Sequence, residues 1–129
     1  MLHTQSGEAF QTDRPIEYEE QGKSFTATEL VAAGFGVCLA TTLEPLFERL
    51  GVDISKVTIF NARQLIQDHP RKILRIASEI HLPVPIDDDA QRRIMRAAAT
   101  CPVARSLHPD IAVDIRIVAG INKPAGSIE

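Results

Sequence analysis

The stretch TELVAAGFGVCLATTLEPLFERLG, residues 28–51, decides the fold. It begins with a threonine and an acidic residue, which favour the start of a helix, and it ends at Gly51, which favours a helix stop. Between Leu30 and Ala40 small or apolar residues lie on every face of that helix. A helix of this kind must be covered on all sides, so the sequence predicts a long helix buried at the centre of the molecule.

The segments around this helix predict strands. Residues 53–66 are rich in β-branched side chains, and the turn residues 67–72 connect them to residues 72–82, which predicts an antiparallel hairpin. Residues 111–119 alternate in the same way and predict a further strand, and residues 10–20 predict a short edge strand interrupted at Pro15. In KILRIASEIHL (72–82) one face carries Leu74, Ile76, Ile80 and Leu82, and the opposite, solvated face carries Arg75, Glu79 and His81.

A second helix is predicted in DDDAQRRIMRAAAT (87–100), whose first residues are carboxylates that suit a helix amino terminus. Pro102 then disfavours the α conformation for the residue before it. We therefore expect Cys101 to lie at a joint that ends this helix and begins a short one reaching Leu107.

Length and composition predict one domain over residues 1–129. The formal net charge of −3 and scattered basic residues argue against a nucleic-acid partner. The amino terminus has no signal-peptide pattern, and the apolar run from Leu30 is about eleven residues, short of the roughly 20 of a membrane span. We therefore expect a cytoplasmic protein with no membrane partner, whose two cysteines are reduced thiols and not a permanent disulfide.

The two cysteines have different predicted environments. Cys101 lies at a helix amino terminus, where backbone N–H groups and the nearby cation Arg105 favour a thiolate. Cys38 lies mid-helix among apolar residues and requires a charged partner from elsewhere to be reactive. Three interpretations stay open from the residues alone: apolar packing, a redox pair, or metal ligation. Metal is the least favoured because no histidine has ligand spacing with either cysteine, and no cofactor is indicated.

The segments ATELVAAGFGVCLATTLEPLFERLG (27–51) and CPVARSL (101–107) together resemble the OsmC/Ohr family of osmotically inducible and organic-hydroperoxide-resistance proteins, in its divergent OsmC-like branch. The resemblance implies an α+β, OsmC-like fold with an antiparallel sheet and a long buried central helix. It also implies an intertwined homodimer with two active sites at the subunit interface. A shortened amino-terminal strand region (1–26) and a flexible tail (121–129) complete this expectation.

The same resemblance implies a thiol-dependent peroxidase that reduces organic hydroperoxides. Cys38 would be the attacking thiolate and Cys101 the resolving cysteine, and a dithiol would restore both. Family members activate the first cysteine with an arginine and a glutamate. Here Arg14 is the only arginine before the helix, and the glutamate position falls at Thr28, with Glu29 next to it.

The candidate catalytic residues are therefore Cys38, Cys101 and Glu29. The departures at Arg14 and Thr28 keep a second hypothesis open, in which a non-catalytic OsmC-like protein binds an apolar ligand or senses redox state. A purely structural or interaction module is a third interpretation, because a fold alone does not fix function.

Overall fold

The computed structural model describes residues 1–12, 24–66, 68 and 70–120, and it has an α+β architecture, as predicted. Along the chain the helices and strands are α1 (Ala27–Leu50), β1 (Thr58–Ile66), β2 (Lys72–Leu82), α2 (Asp88–Ala98), α3 (Pro102–Ser106) and β3 (Ala112–Ala119). A 3-10 turn, Ile54–Lys56, connects α1 to β1. Helix α1 contacts every other helix and the first two strands.

The cap of helix α1 lies two residues before the predicted cap at Thr28. Thr26 is the capping residue, and its hydroxyl accepts a hydrogen bond from the Glu29 N–H at 3.4 Å. The Glu29 carboxylate accepts one in return from the Thr26 N–H at 2.9 Å, which completes a capping box. The predicted stop at Gly51 is confirmed, because this glycine adopts the left-handed conformation (φ 73°) and its N–H bonds to carbonyls of the last turn.

One face of α1 is buried and the other is exposed. Phe35, Leu39 and Leu43 have no exposed surface, whereas Val37 is 64% exposed and Val31 and Gly34 are also exposed. The prediction of a helix covered on all sides is therefore wrong for a single chain. A three-stranded sheet and two shorter helices lie against one side of α1 and leave an apolar stripe uncovered.

By length and composition, α1 could cross a membrane, and it is the one helix in the described ranges that meets this test. The expected apolar run of about eleven residues was too short an estimate of the uncharged segment, because Thr41 and Thr42 extend that segment without adding charge. Length and composition do not separate a membrane helix from a core helix. In this chain the large apolar side chains of α1 pack on the protein's own sheet and helices.

The sheet has the order β1-β2-β3 and is mixed, not antiparallel throughout. Strands β1 and β2 form the predicted antiparallel hairpin. Strand β3 pairs with β2 in parallel, which corrects the expected antiparallel sheet. The reason is the connection: α2 and α3 return the chain to the starting end of the sheet before β3 begins, and such crossovers join parallel strands.

The outer face of the sheet, on the side away from α1, is not solvated at its centre. Glu79 is 1% exposed and His81 is also buried, which corrects the prediction of a polar, solvent-facing side for β2. The Glu79 carboxylate accepts hydrogen bonds from both His81 and Arg116. The Phe60 ring packs edge-on against the His81 ring, with 4.9 Å between the ring centroids. Because β2 is the central strand, side chains of its two neighbours cover these polar groups and pair with them.

A register shift between Gln64 and Leu65 alters the predicted inner face of β2. Ile76, Ile80 and Leu82 are buried as expected, but Leu74 is 40% exposed. Ile73 takes its place opposite Leu65, because a bulge changes which residues face each side.

The second half of the chain forms the predicted helices. Asp87 caps α2, and its carboxylate accepts a hydrogen bond from the Ala90 N–H at 2.7 Å. Cys101 lies at the joint between α2 and α3, and Pro102 is the first residue of α3, as expected. Helix α3 ends at Ser106, one residue before the predicted Leu107.

Two predicted regions lie wholly or mostly outside the described residues. The edge strand over residues 10–20, with Arg14 and Pro15, is described only as far as Thr12, which forms an isolated bridge with Phe25. The tail 121–129 is also outside the described ranges. The assignment of residues 1–129 to one domain stays a prediction.

Helix α1 and β1 meet at Gly36. An added Cβ at Gly36 would lie 2.1 Å from the Asn61 side-chain nitrogen, so a larger residue fits here only if the Asn61 side chain or the helix moves. Asn61 is held by Ser78, whose hydroxyl donates to the Asn61 Oδ1 at 2.6 Å. This contact fixes the position of α1 on the sheet and thereby the direction in which Cys38 points.

Replacing Gly36 with alanine should destabilise the protein by about 1–3 kcal/mol, because the methyl group forces the helix off Asn61. The matched control is Gly34→Ala on the uncovered stripe, where an added Cβ meets no atom within 4 Å. At a chain concentration low enough to keep the protein monomeric, this control should be stabilised by up to about 1 kcal/mol through helix propensity. Urea unfolding of both variants measures the difference. Equal stability of the two variants would contradict the assigned role of Gly36, and a concentration-dependent loss in Gly34→Ala would indicate a second chain at this stripe.

Candidate functional site

The two cysteines, 63 positions apart in sequence, meet where α1 contacts α3. Both are free thiols. Cys38 is half-buried and Cys101 is completely buried. Their side chains lie close enough for each thiol to shift the pKa of the other, so the fold brings the predicted pair together.

The pKa of Cys38 lies below its ordinary value. Burial raises it, but three groups lower it by more: the Cys101 thiol, the Val103 backbone N–H and the Thr42 hydroxyl, each acting as a hydrogen-bond donor. The Thr42 Oγ1 lies 4.0 Å from the Cys38 Sγ. The sequence predicted an inert Cys38 unless a charged group approached it, and neutral donors from α3 and from the next turn of α1 take that role.

The pKa of Cys101 is raised. Burial is the largest cause, and the hydrogen-bonding interaction with Cys38 and the negative charge of its thiolate add to it. The N–H groups of Ala104 and Val103 act in the opposite direction, although the Cys101 side chain makes no capping hydrogen bond of standard geometry. The prediction that Cys101 is the thiol favoured as a thiolate is therefore wrong, because its complete burial outweighs the helix amino terminus.

Arg105 was expected to add a cation beside Cys101. It is exposed, and its backbone N–H bonds to the Cys101 carbonyl. The pKa of the Cys101 thiol is shifted chiefly by burial, by Cys38 and by backbone N–H groups. The Arg105 guanidinium is not among these causes.

Glu29 lies away from the thiols of its own chain. It precedes Cys38 by nine residues, which on an α-helix corresponds to about 13 Å along the axis and about 180° around it. Its carboxylate completes the helix cap and lies 3.6 Å from the Arg63 guanidinium, which also donates to the Thr28 hydroxyl at 2.9 Å. Arg63 was not anticipated, because nothing in the sequence shows that β1 passes beside the first turn of α1.

The remaining sequence candidates give no metal centre within the described ranges. No group of three or more His, Cys, Asp or Glu side chains there is placed to hold a metal ion. His69 and Arg14 lie outside those ranges.

Among the residues that the structure describes, α1 borders a polar groove and an apolar groove, and no cysteine lines either of them. One, of about 860 Å³, runs beside β1 and includes Glu29 and Arg63. The other, of about 340 Å³, lies between α1 and residues 54–61 and is mostly apolar, with Val37, Ala40 and Ile54 among its walls. The second groove borders the uncovered stripe of α1.

The site combines a half-exposed, acidic thiol with a buried, weakly acidic one. The first has the properties of a nucleophile, because a thiolate is the reactive form and a substrate can approach it. The second lies near enough to the first for each thiol to shift the pKa of the other. Such a pair is suited to two-thiol redox chemistry.

Comparison with known proteins identifies relatives of this chain. The family model described as OsmC-like protein matches residues 20–116. A Psychrobacter arcticus protein, named for osmotic stress induction and a detoxification response, is 30% identical, with a TM-score of 0.81. The match covers 91% of this chain and 85% of that one. No curated protein matches closely enough to count as a relative.

Two further solved structures support the fold alone, because their sequences are distant. The organic hydroperoxide resistance protein OsmC from Legionella pneumophila is 17% identical with a TM-score of 0.64, over 81% of this chain and 77% of that one. The organic hydroperoxide resistance protein OhrB of Bacillus subtilis is 18% identical with a TM-score of 0.61, over 80% and 76%.

Alkylation with iodoacetamide at a series of pH values should modify Cys38 first, with a midpoint below the roughly 8.5 of an unperturbed cysteine. A lowered pKa keeps the thiolate present at lower pH, so the alkylation rate should fall at a lower pH than in the unfolded chain. Cys101 should react slowly, because it is buried and its pKa is raised. Peptide mass spectrometry distinguishes the two thiols, and the urea-unfolded chain serves as the reference. Faster reaction at Cys101, or a Cys38 midpoint equal to that of the unfolded chain, would contradict this assignment.

Proposed function

The chain belongs to the OsmC-like protein family, and from this premise we propose that it is a thiol-dependent peroxidase that reduces organic hydroperoxides. The observation that carries the proposal is the contact between Cys38 and Cys101, with opposite pKa shifts in the two thiols. Two solved structures with the same fold are named organic hydroperoxide resistance proteins, which agrees with this chemistry.

The first step uses the Cys38 thiolate. Its sulfur attacks the terminal oxygen of the hydroperoxide, an S–O bond forms and the O–O bond breaks. The alkoxide that leaves takes a proton from water and becomes the alcohol, and Cys38 becomes a sulfenic acid. The half-exposed position of Cys38 supports access for the substrate.

The second step uses Cys101. While Cys38 is a thiolate, its negative charge and its hydrogen-bonding interaction help to raise the pKa of Cys101, after burial itself. Oxidation of Cys38 to a neutral sulfenic acid removes that charge, so Cys101 ionises more easily only when its target has formed. The Cys101 sulfur then attacks the Cys38 sulfur, and a disulfide forms as water leaves.

A dithiol reductant closes the cycle. One of its thiolates attacks the disulfide and its second thiol resolves the mixed disulfide, which returns both cysteines to the reduced state and oxidises the dithiol. The proposal places the protein in the cytoplasm, where thiols are kept reduced. It requires no metal or other cofactor. Within one chain, the cap and Arg63 hold the Glu29 carboxylate at the opposite face of α1 from Cys38, so the steps above use the two thiols alone.

A homodimer is part of this proposal. The uncovered stripe of α1 (Val31, Gly34 and Val37) is apolar and centred on a glycine, which lets a second helix approach closely. Cys38 lies next to this stripe along the helix. A second copy at this face would cover the apolar side chains and would place the thiol pair at the edge of the subunit interface.

A second candidate function rests on the apolar groove of about 340 Å³ beside Val37. Its size and lining suit a small apolar ligand. Among the described residues, the main groups that lower the pKa of Cys38 include no cation. In this alternative the chain binds such a ligand or senses redox state without catalytic turnover.

Incubation with cumene hydroperoxide and a dithiol should consume the peroxide with multiple turnovers. Cys38→Ser should abolish consumption, because it removes the attacking sulfur. With no dithiol present, Cys101→Ser should consume one equivalent of peroxide and leave a sulfenic acid on Cys38, which dimedone labels, because no second thiol of the chain condenses with it. A wild-type protein that consumes no peroxide with any of several dithiols would exclude the peroxidase and favour the binding alternative.

The proposed dimer predicts that the wild-type chain elutes at twice its 14.2 kDa mass in size-exclusion chromatography with light scattering. Val37→Glu should shift the protein to the monomer, because it buries a charge in an apolar interface. The control is Gln91→Glu, which adds the same charge at an exposed position on α2 and should leave the mass unchanged. A wild-type monomer at micromolar concentration would exclude the dimer.

A further inference from the structure

Two adjacent threonines follow Cys38 in α1 and make different contacts. Thr41 is exposed, and its hydroxyl donates to the backbone carbonyls of Val37 at 3.2 Å and Cys38 at 3.1 Å. Thr42 is half-buried, and its hydroxyl faces the Cys38 sulfur at 4.0 Å. Bonding to a carbonyl in the preceding turn is the usual behaviour of a helical threonine, so the contact of Thr42 with a side chain is the unusual one.

The spacing of Cys38 and Thr42 explains this contact. Residues four apart lie one above the other on the same helix face, and both side chains here are half-buried. Since a thiolate has no hydrogen to give, the hydroxyl is the donor whenever Cys38 is ionised. The contact belongs to one helix, so it persists whatever position α3 takes.

We propose that the Thr42 hydroxyl stabilises and positions the ionised sulfur of Cys38 as a hydrogen-bond donor one helical turn away. The role of this donor in catalysis rests on the proposed peroxidase function. The other two donors, the Cys101 thiol and the Val103 N–H, come from the start of α3. Cys101 is consumed when the disulfide forms, whereas Thr42 keeps its hydroxyl throughout the cycle.

A hydroxyl donor has a specific effect on thiol reactivity. It increases the fraction of thiolate at neutral pH, and it also makes each thiolate a slightly weaker nucleophile, because nucleophilicity falls as the thiol pKa falls. Removing the donor therefore slows the reaction below the midpoint of the pH profile and leaves it equal or slightly faster on the high-pH plateau. A purely structural defect would slow the reaction at every pH.

The test measures the pH profile of Cys38 alkylation by iodoacetamide in Thr42→Val, which keeps the shape of the side chain and removes the hydroxyl. We expect the rate at pH 7 to fall about threefold, with the midpoint moved to higher pH and no loss on the plateau. Thr42→Ser retains the hydroxyl and should restore the wild-type profile. Thr41→Val removes the neighbouring hydroxyl, which does not face the sulfur, and should match the wild type.

An unchanged profile in Thr42→Val, a failure of Thr42→Ser to restore it, or an equal shift in Thr41→Val would overturn the inference. Alkylation needs no peroxide, which separates this test from that of the proposed function. A shifted profile in a protein that consumes no hydroperoxide would reject the peroxidase and keep the hydrogen bond. Full peroxide turnover with no effect of Thr42→Val would reject only the role of Thr42.

Discussion

The packing of α1 on the inner face of the sheet is the constraint on which the rest of the structure depends. Every other helix and the first two strands contact this helix, and the close approach at Gly36 fixes its position against Asn61 and Ser78. A helix seated in this way turns Phe35, Leu39 and Leu43 into the core. It also turns Cys38 toward α3, so the geometry of the thiol pair follows from a contact made by a glycine two residues earlier.

The break at Pro102 supplies the second half of the site. The proline ends one helix and begins another, which leaves the N–H groups of Val103 and Ala104 beside the two sulfurs. Neutral donors stabilise a thiolate in this partly apolar setting. The same arrangement buries Cys101 and keeps it protonated, so the two thiols differ in reactivity although they are neighbours.

The charged groups near the start of α1 have a structural role within one chain. Glu29 and Arg63 join the helix amino terminus to β1, together with the Thr28 hydroxyl. On the other side of α1, Val31, Gly34 and Val37 stay uncovered beside the thiol pair. The proposed second copy of the chain and the apolar groove both lie on this same side of the helix.

Several features were determined by the sequence alone, because local chemistry specifies them. Gly51 ends α1, Asp87 begins α2, Pro102 forces the joint at Cys101, and alternation marks the hairpin and the third strand. The paired motifs around Cys38 and Cys101 also indicated the family. Only the tertiary structure decided that β3 runs parallel to β2, that Glu79 and His81 are buried, and that Arg63 holds Glu29. It also decided that Cys38, and not Cys101, is the more acidic thiol. These outcomes depend on which distant segments meet and on how deeply each group is desolvated, and neither spacing nor periodicity along the chain encodes that.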